Sequence, residues 1–258
     1  FIGTFHSFCV RVLRENPVEA GLDPNFAVLD ETETTLLTEK ALAEVVEAAI
    51  EEGAAWFDRL LAAYDRTALL AVVPGIYEKL AAAALLDEGL AARLGAPYEE
   101  AIGRAAGLKG ELLDLCRELI AWKEKLNPQS AQYARVERLA RDWGAVAAAV
   151  AAADGDDGSA DAVLAARLDG LDRRGGDREI VGAIKERRKR LRQVRADRVA
   201  RELVPAFCEL FLALDAALNK HKKEQRVLTF TDLEVRTARL LRDYPAVRQK
   251  YLGRFRYI

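Results

Sequence analysis

The chain has no methionine in 258 residues. It begins on an apolar stretch, Phe1-Ile2, and ends on another, Phe255 to Ile258. We therefore expect an interior piece of a longer protein. Histidine is nearly absent, with only His6 and His221. They lie too far apart to defend a Ser/His/Asp or Cys/His arrangement. Cys9, Cys116 and Cys208 are odd in number and dispersed, which excludes a disulfide framework and a zinc pattern. Reduced thiols in a cytoplasmic protein are the expectation. No apolar run approaches the roughly 18 residues that span a bilayer, the stretch 145–153 being among the longest. No leader pattern is visible, so no membrane partner is expected. Charge is also nearly balanced: 39 basic against 41 acidic residues, a formal −2. Nucleic acid has no global electrostatic case, and any basic surface must come from local segregation. Finally, none of the 17 glycines is followed by lysine. The phosphate-cradling Gly-x-x-x-x-Gly-Lys-Ser/Thr loop is therefore missing.

Helix formers are abundant. Hydrophobic residues make up 51% and charged residues 31%, the balance of a globular chain. Phe1 to Thr4 fits the end of a strand. Phe5, Phe8, Cys9, Val12 and Leu13 form one apolar stripe and predict a helix from Phe5 to about Glu15. Pro17, Gly21 and Pro24 break it. Phe26 to Leu29 is strand-like. Asp30 with Glu33 has capping-box spacing, opening a helix to about Glu52. From Ala54 to Asp243 nearly everything is helical in composition. Breaks are expected at Pro74-Gly75, Gly95 to Pro97, Asn127-Pro128 and Gly175-Gly176. A flexible linker is expected at 154–159, and a kink or boundary at Pro205. Leu228 to Thr231 leans to β, with a helix from about Asp232 and a strand starting near Arg254. Strand fragments at both ends of a large helical block suggest a mainly α chain built as a helical insertion in an α/β domain.

Several groups carry possible chemistry. Thr4-Phe5-His6-Ser7 stands at a strand-to-helix junction. Backbone N–H groups and the positive helix end suit phosphate oxygens there. Thr4 and Ser7 add hydroxyls, and an exposed Phe5 would stack on an unpaired base. The plainer alternative is a capped helix, with Phe5 in the core and His6 as a satisfied surface group. Lys185 to Arg201 is a basic run that includes Arg188, Arg192 and Arg195. It is either a phosphate-tracking face or a solvated helix face. It lacks the interleaved aromatics of a base-stacking surface. Lys220, Lys222, Lys223 and Arg226 form a weaker cluster around His221. Asp30-Glu31 after an apolar run imitates a Mg²⁺-binding box, but Asp30 and Glu33 explain themselves as a cap. Trp56, Trp122 and Trp143 fall on helical stretches and suggest packing. Cys9 lies on an apolar helix face, as a buried thiol would.

The stretch from Gly3 to Glu33 also carries a resemblance. Thr-Phe-His-Ser, the Cys-x-Arg-x-Leu-Arg helix and Phe26-Ala-Val-Leu-Asp30 resemble the motif Ia segment of UvrD/Rep-like superfamily 1 DNA helicases. The wording from Asn16 to Phe26 looks most like the AddA branch, the helicase subunit of the bacterial helicase–nuclease. Gly75 to Leu80 resembles a second phrase of that branch. Leu228-Thr-Phe-Thr-Asp-Leu-Glu234 resembles the lead-in to the family's Asp-Glu box, with Thr229 where the family has Asp. The likeness is strong over residues 2–40 and 226–258.

This resemblance implies a RecA-like P-loop domain supplying edge pieces at 1–40 and 226–258. It implies a helical 1B-like insertion at 41–225. It also implies ATP- and Mg²⁺-dependent translocation on single-stranded DNA with duplex unwinding in double-strand-break repair, and Thr4, Phe5, His6 and Ser7 as DNA contacts. Further implications are a nuclease domain and a second helicase–nuclease subunit. The ATP-binding loop and the Asp-Glu box are expected outside these residues, so no cofactor or metal is expected on the piece itself, which should be inactive alone. The competing expectation is a non-catalytic helical module for DNA binding or protein interaction.

Overall fold

The structure is a computed structural model that describes residues 4–152, 159–168 and 178–253. It is mainly α. Thirteen helices and two short strands are described: α1 (Phe5–Glu15), α2 (Pro17–Ala20), β1 (Ala27–Val28), α3 (Glu31–Glu52), α4 (Ala55–Ala63), α5 (Arg66–Ala82), α6 (Leu90–Gly103), α7 (Ala105–Ala121), α8 (Ala131–Arg141), α9 (Trp143–Ala152), α10 (Ser159–Leu168), α11 (Arg178–Gln225), β2 (Val227–Leu228), α12 (Phe230–Asp243) and α13 (Pro245–Leu252). A 3₁₀ turn, Trp122–Lys125, follows α7. The strand ends predicted at 1–3 and 254–258, most of the 154–159 linker and the 175–176 break lie outside the described residues. No single helix among the described residues is long and apolar enough to cross a membrane.

The chain forms two compact units, Phe1–Ala91 with Pro205–Ile258, and Ala92–Val204. These divide the chain at different places from the sequence boundaries near 41 and 225. The reason is that α3, α5 and the C-terminal half of α11 are tied to one another. Tyr77 Oη donates to Asp215 Oδ1 at 2.8 Å, and His221 Nε2 lies 2.7 Å from Glu44 Oε2.

In the first unit the two ends of the chain meet. β1 and β2 pair in parallel, Ala27 opposite Val227 and Val28 opposite Leu228. Parallel strands cannot be joined by a tight turn and need a crossover. Here the crossover is everything between them in sequence. Ala27 N–H donates to the Arg226 carbonyl and Leu29 N–H to the Leu228 carbonyl, both at 2.9 Å. Beneath this pair Cys9, Val12 and Leu13 of α1 pack with Phe26, Leu228, and Leu233 and Leu240 of α12. Buried Asn16 ends α1 usefully. Its Nδ2 donates to the Val12 carbonyl at 2.7 Å and to Tyr251 Oη at 3.0 Å, tying α1 to α13.

Local signals set several boundaries. Asp30 Oδ1 accepts from Glu33 N–H at 2.8 Å, and Glu33 Oε2 accepts from Asp30 N–H at 2.9 Å, the expected capping box. Other expected breaks do not occur. Pro74-Gly75 lies inside α5, and Gly95 to Pro97 inside α6. A mid-helix proline removes one hydrogen bond. In α5 the buried stripe Leu69, Val73, Tyr77 and Leu80 keeps helical spacing across it, and that burial holds the helix. Pro205 likewise sits within the 48-residue α11.

The second unit has a core of Leu112, Cys116 and Leu119 of α7 with Val136, Val146, Leu164 and Ile184, among others. Trp122 and Trp143 pack against it, as expected for structural tryptophans. Trp56, in the other unit, meets Phe57 edge-on.

Candidate nucleic-acid interface

α1 begins where Thr4, in extended conformation, caps it. Thr4 Oγ1 accepts from Ser7 N–H at 3.3 Å, and the two hydroxyls are 2.7 Å apart. No acidic residue of α1 itself occupies its first turn. Phe5 is 60% exposed. The core placement considered for it is therefore wrong: Cys9, Val12 and Leu13 face inward and leave Phe5 on the outer side.

His6 is held from the far end of the chain. Its Nε2 lies 3.1 Å from Glu234 Oε1, and its ring centroid lies 4.7 Å from that of Phe230. Phe5 stands 6.2 Å from His6 and 6.5 Å from Phe8, centroid to centroid. Phe230, 39% exposed, completes a ring cluster that no local sequence pattern announces. A hollow of about 550 Å³ opens beside His6 and Phe230, bordered by Thr34, Thr35 and Thr38 of α3 and by Gly75 of α5.

Phe230 is placed by the cap of α12. The helix starts at Phe230, two residues before the predicted start. Thr229 Oγ1 accepts from Asp232 N–H at 3.1 Å, and Asp232 Oδ2 accepts from Thr229 N–H at 2.9 Å. Thr229, the departure from the family pattern, thus serves as an N-cap. Lys222 Nζ donates to both oxygens of Asp232, at 3.0 and 2.9 Å. Both side chains of this pair are largely buried.

The basic run divides by helical phase. Val181, Ile184, Leu191 and Val194 are buried. Arg188 falls on the same stripe and is 7% exposed. It is corrected from a phosphate contact to an inward-facing group. Its charge acts on Cys116, whose thiol is pushed up to about 12 by burial and pulled back by Arg188. Arg192 and Arg195 are exposed. Other arginines of this helix pair with carboxylates, Arg187 with Glu111 at 3.0 Å and Arg201 with Glu99 at 2.9 Å. In the cluster around His221, Lys222 pairs with Asp232, and Arg226 with Asp23 at 3.4 Å. Burial raises the Cys9 thiol too, so these cysteines are neutral packing groups. Among the described residues no group of three His, Cys, Asp or Glu is placed to hold a metal.

The family model of the UvrD/REP helicase N-terminal domain matches residues 1–258. The chain belongs to this family. Several relatives are named as the A subunit of an ATP-dependent helicase/nuclease. That of Exiguobacterium sibiricum is 38% identical over 80 residues, 30% of this chain and 7% of the relative. That of Acetivibrio thermocellus is 40% identical over 81 residues, 30% and 6% respectively. That of Pelotomaculum thermopropionicum is 52% identical over 46 residues, 18% and 4%. The matched stretches thus span only a small part of these relatives. In this UvrD/REP N-terminal domain the segments that carried the resemblance, 2–40 and 226–258, contribute the two paired strands and the ring cluster.

Proposed function

We propose that this domain belongs to an ATP-dependent DNA helicase that translocates on single-stranded DNA and unwinds duplex in double-strand-break repair or recombination. The observation that carries the reading is the exposed Phe5, clustered with His6 and Phe230 at the N-termini of α1 and α12. Aromatic faces hold unpaired bases whatever their sequence, and a positive groove holds the backbone. Thr4 and Ser7 hydroxyls and the first N–H groups of α1 would take a phosphate, as helix N-termini do. Arg192 and Arg195 would add backbone contacts at a second place.

In this reading 1–40 and 226–258 are edge pieces of a RecA-like domain, and 41–225 is a 1B-like insertion between adjacent parallel strands. The parallel register of β1 and β2 supports it. ATP and Mg²⁺ would be bound by residues outside these 258, which contain no Gly-Lys. Phosphoryl transfer needs both a phosphate loop and metal-holding carboxylates, so these residues alone would not hydrolyse ATP. The relatives' names suggest a nuclease activity and a partner subunit in the whole protein.

The test is ATP hydrolysis by the full-length protein with and without a single-stranded oligonucleotide. Phe5→Ala should raise the strand concentration needed for half-maximal stimulation, by roughly 5- to 150-fold if one base stack of about 1–3 kcal/mol is removed. Stimulation identical to the parent's would return Phe5 to a merely exposed ring.

A further inference from the structure

A second cavity, about 610 Å³, lies on the other side of the Lys222–Asp232 pair. It is bordered by the end of α11, the face of α12 that carries Arg236 and Arg239, and the turn after α2. Its acids are already engaged. Asp232 is held by Lys222, and Asp23 pairs with Arg226. Asp215 accepts from Tyr77 Oη and from Asn219 Nδ2, at 2.8 and 2.9 Å. Its cations are not all engaged. Lys223, Arg236 and Arg239 make no close ion pair among the described residues, Arg239 acting on Asp243 only from a longer distance.

The backbone adds a second observation. Arg226, at the end of α11, has φ of 56°, in the left-handed region where a helix end normally places glycine. A side chain there costs on the order of 1 kcal/mol. An arginine holds the position and lines the cavity.

We infer that this cleft is a phosphate-binding site for the backbone of a nucleic-acid strand, separate from the ring cluster at Phe5. Lys223, Arg236 and Arg239 would supply the charge. Arg236 and Arg239 are three apart on α12 and share a face, so neighbouring phosphates can be met together. The lining mixes charged and polar side chains with apolar ones, and the two rings that reach it, Phe26 and Tyr77, are both buried. Backbone contact without base stacking is what such a lining permits. The inference rests on the reading that the protein handles DNA, but not on Phe5.

The experiment is equilibrium binding of a fluorescein-labelled oligothymidylate to the full-length protein across a salt series. The variants are Arg236→Gln with Arg239→Gln, Lys223→Gln alone, and Phe5→Ala. Removing one phosphate contact should flatten the log–log salt slope by about 0.7, so the arginine pair should flatten it by roughly 1.4. Phe5→Ala should weaken binding at every salt concentration with the parent slope. A parent slope in both the arginine pair and Lys223→Gln overturns the cleft. A reduced slope beside an ineffective Phe5→Ala keeps the cleft and defeats the stacking reading instead. If the arginine pair weakens only a fluorescent adenine nucleotide and leaves the DNA slope alone, the cleft serves a free nucleotide and the strand assignment falls.

Discussion

The unit formed by residues 1–91 and 205–258 adds to its apolar core buried polar groups that tie separate elements together, whereas the core of 92–204 is drawn mainly from apolar side chains at helical spacing. In the first, the buried Lys222–Asp232 pair, Asn16 with Tyr251 and Tyr77 with Asp215 each fix one element against another. In the second, Leu112, Leu119, Leu139 and Leu164 fill the core, and the ion pairs described, such as Arg187–Glu111 and Arg201–Glu99, lie at the surface. Surface pairs contribute little, about 0–1 kcal/mol. Directional groups hold a geometry to within a hydrogen bond's tolerance, and apolar packing holds a volume. The exposed ring cluster is in the unit with the directional groups.

That contrast can be broken from either side. The largest effect should come from Lys222→Met, which leaves Asp232 buried without its cation. The expected loss is about 3–5 kcal/mol, read as lowered hydrogen-exchange protection of α12 amides in the full-length protein. Adding Asp232→Asn should recover part of it, since the amide oxygen still accepts from Thr229 N–H. Protection at the parent level would show that the pair does not hold α12. Leu119→Ala should cost about 2–5 kcal/mol, confined to α7 and its packing partners. Loss of protection spreading to α12 instead would contradict the division into two units. Smallest, Arg192→Glu with Arg195→Glu should leave exchange unchanged and only flatten the salt dependence of DNA binding. An unaltered slope would leave these arginines as a solvated face.

Much of the first unit is legible in the sequence because its signals are local. A cap is a matter of three residues, so Asp30 with Glu33 announces α3, and the apolar stripe from Phe5 to Leu13 announces α1. Pro74 and Gly95 to Pro97 mislead because tertiary burial overrides local propensity. The charge of Arg188 misleads too, although its phase is available: Val181, Ile184, Leu191 and Val194 mark a stripe that passes through it. Phe230 is harder. Its ring meets His6 only after β1 and β2 pair, and nothing local in either segment signals the other. The start of α12 is obscured for a different reason. Thr229 looks β-forming, although Asp232 three residues on gives it the same cap spacing as Asp30 with Glu33.

Whether Phe5 meets a base is the central question. Direct binding of a single-stranded oligonucleotide by the full-length protein, compared for the parent, Phe5→Ala and Phe5→Trp, tests this most simply. A stacking role predicts a loss for Ala worth roughly 1–3 kcal/mol and affinity restored by Trp. Equal affinity in all three proteins, or a loss that Trp does not restore, would contradict it.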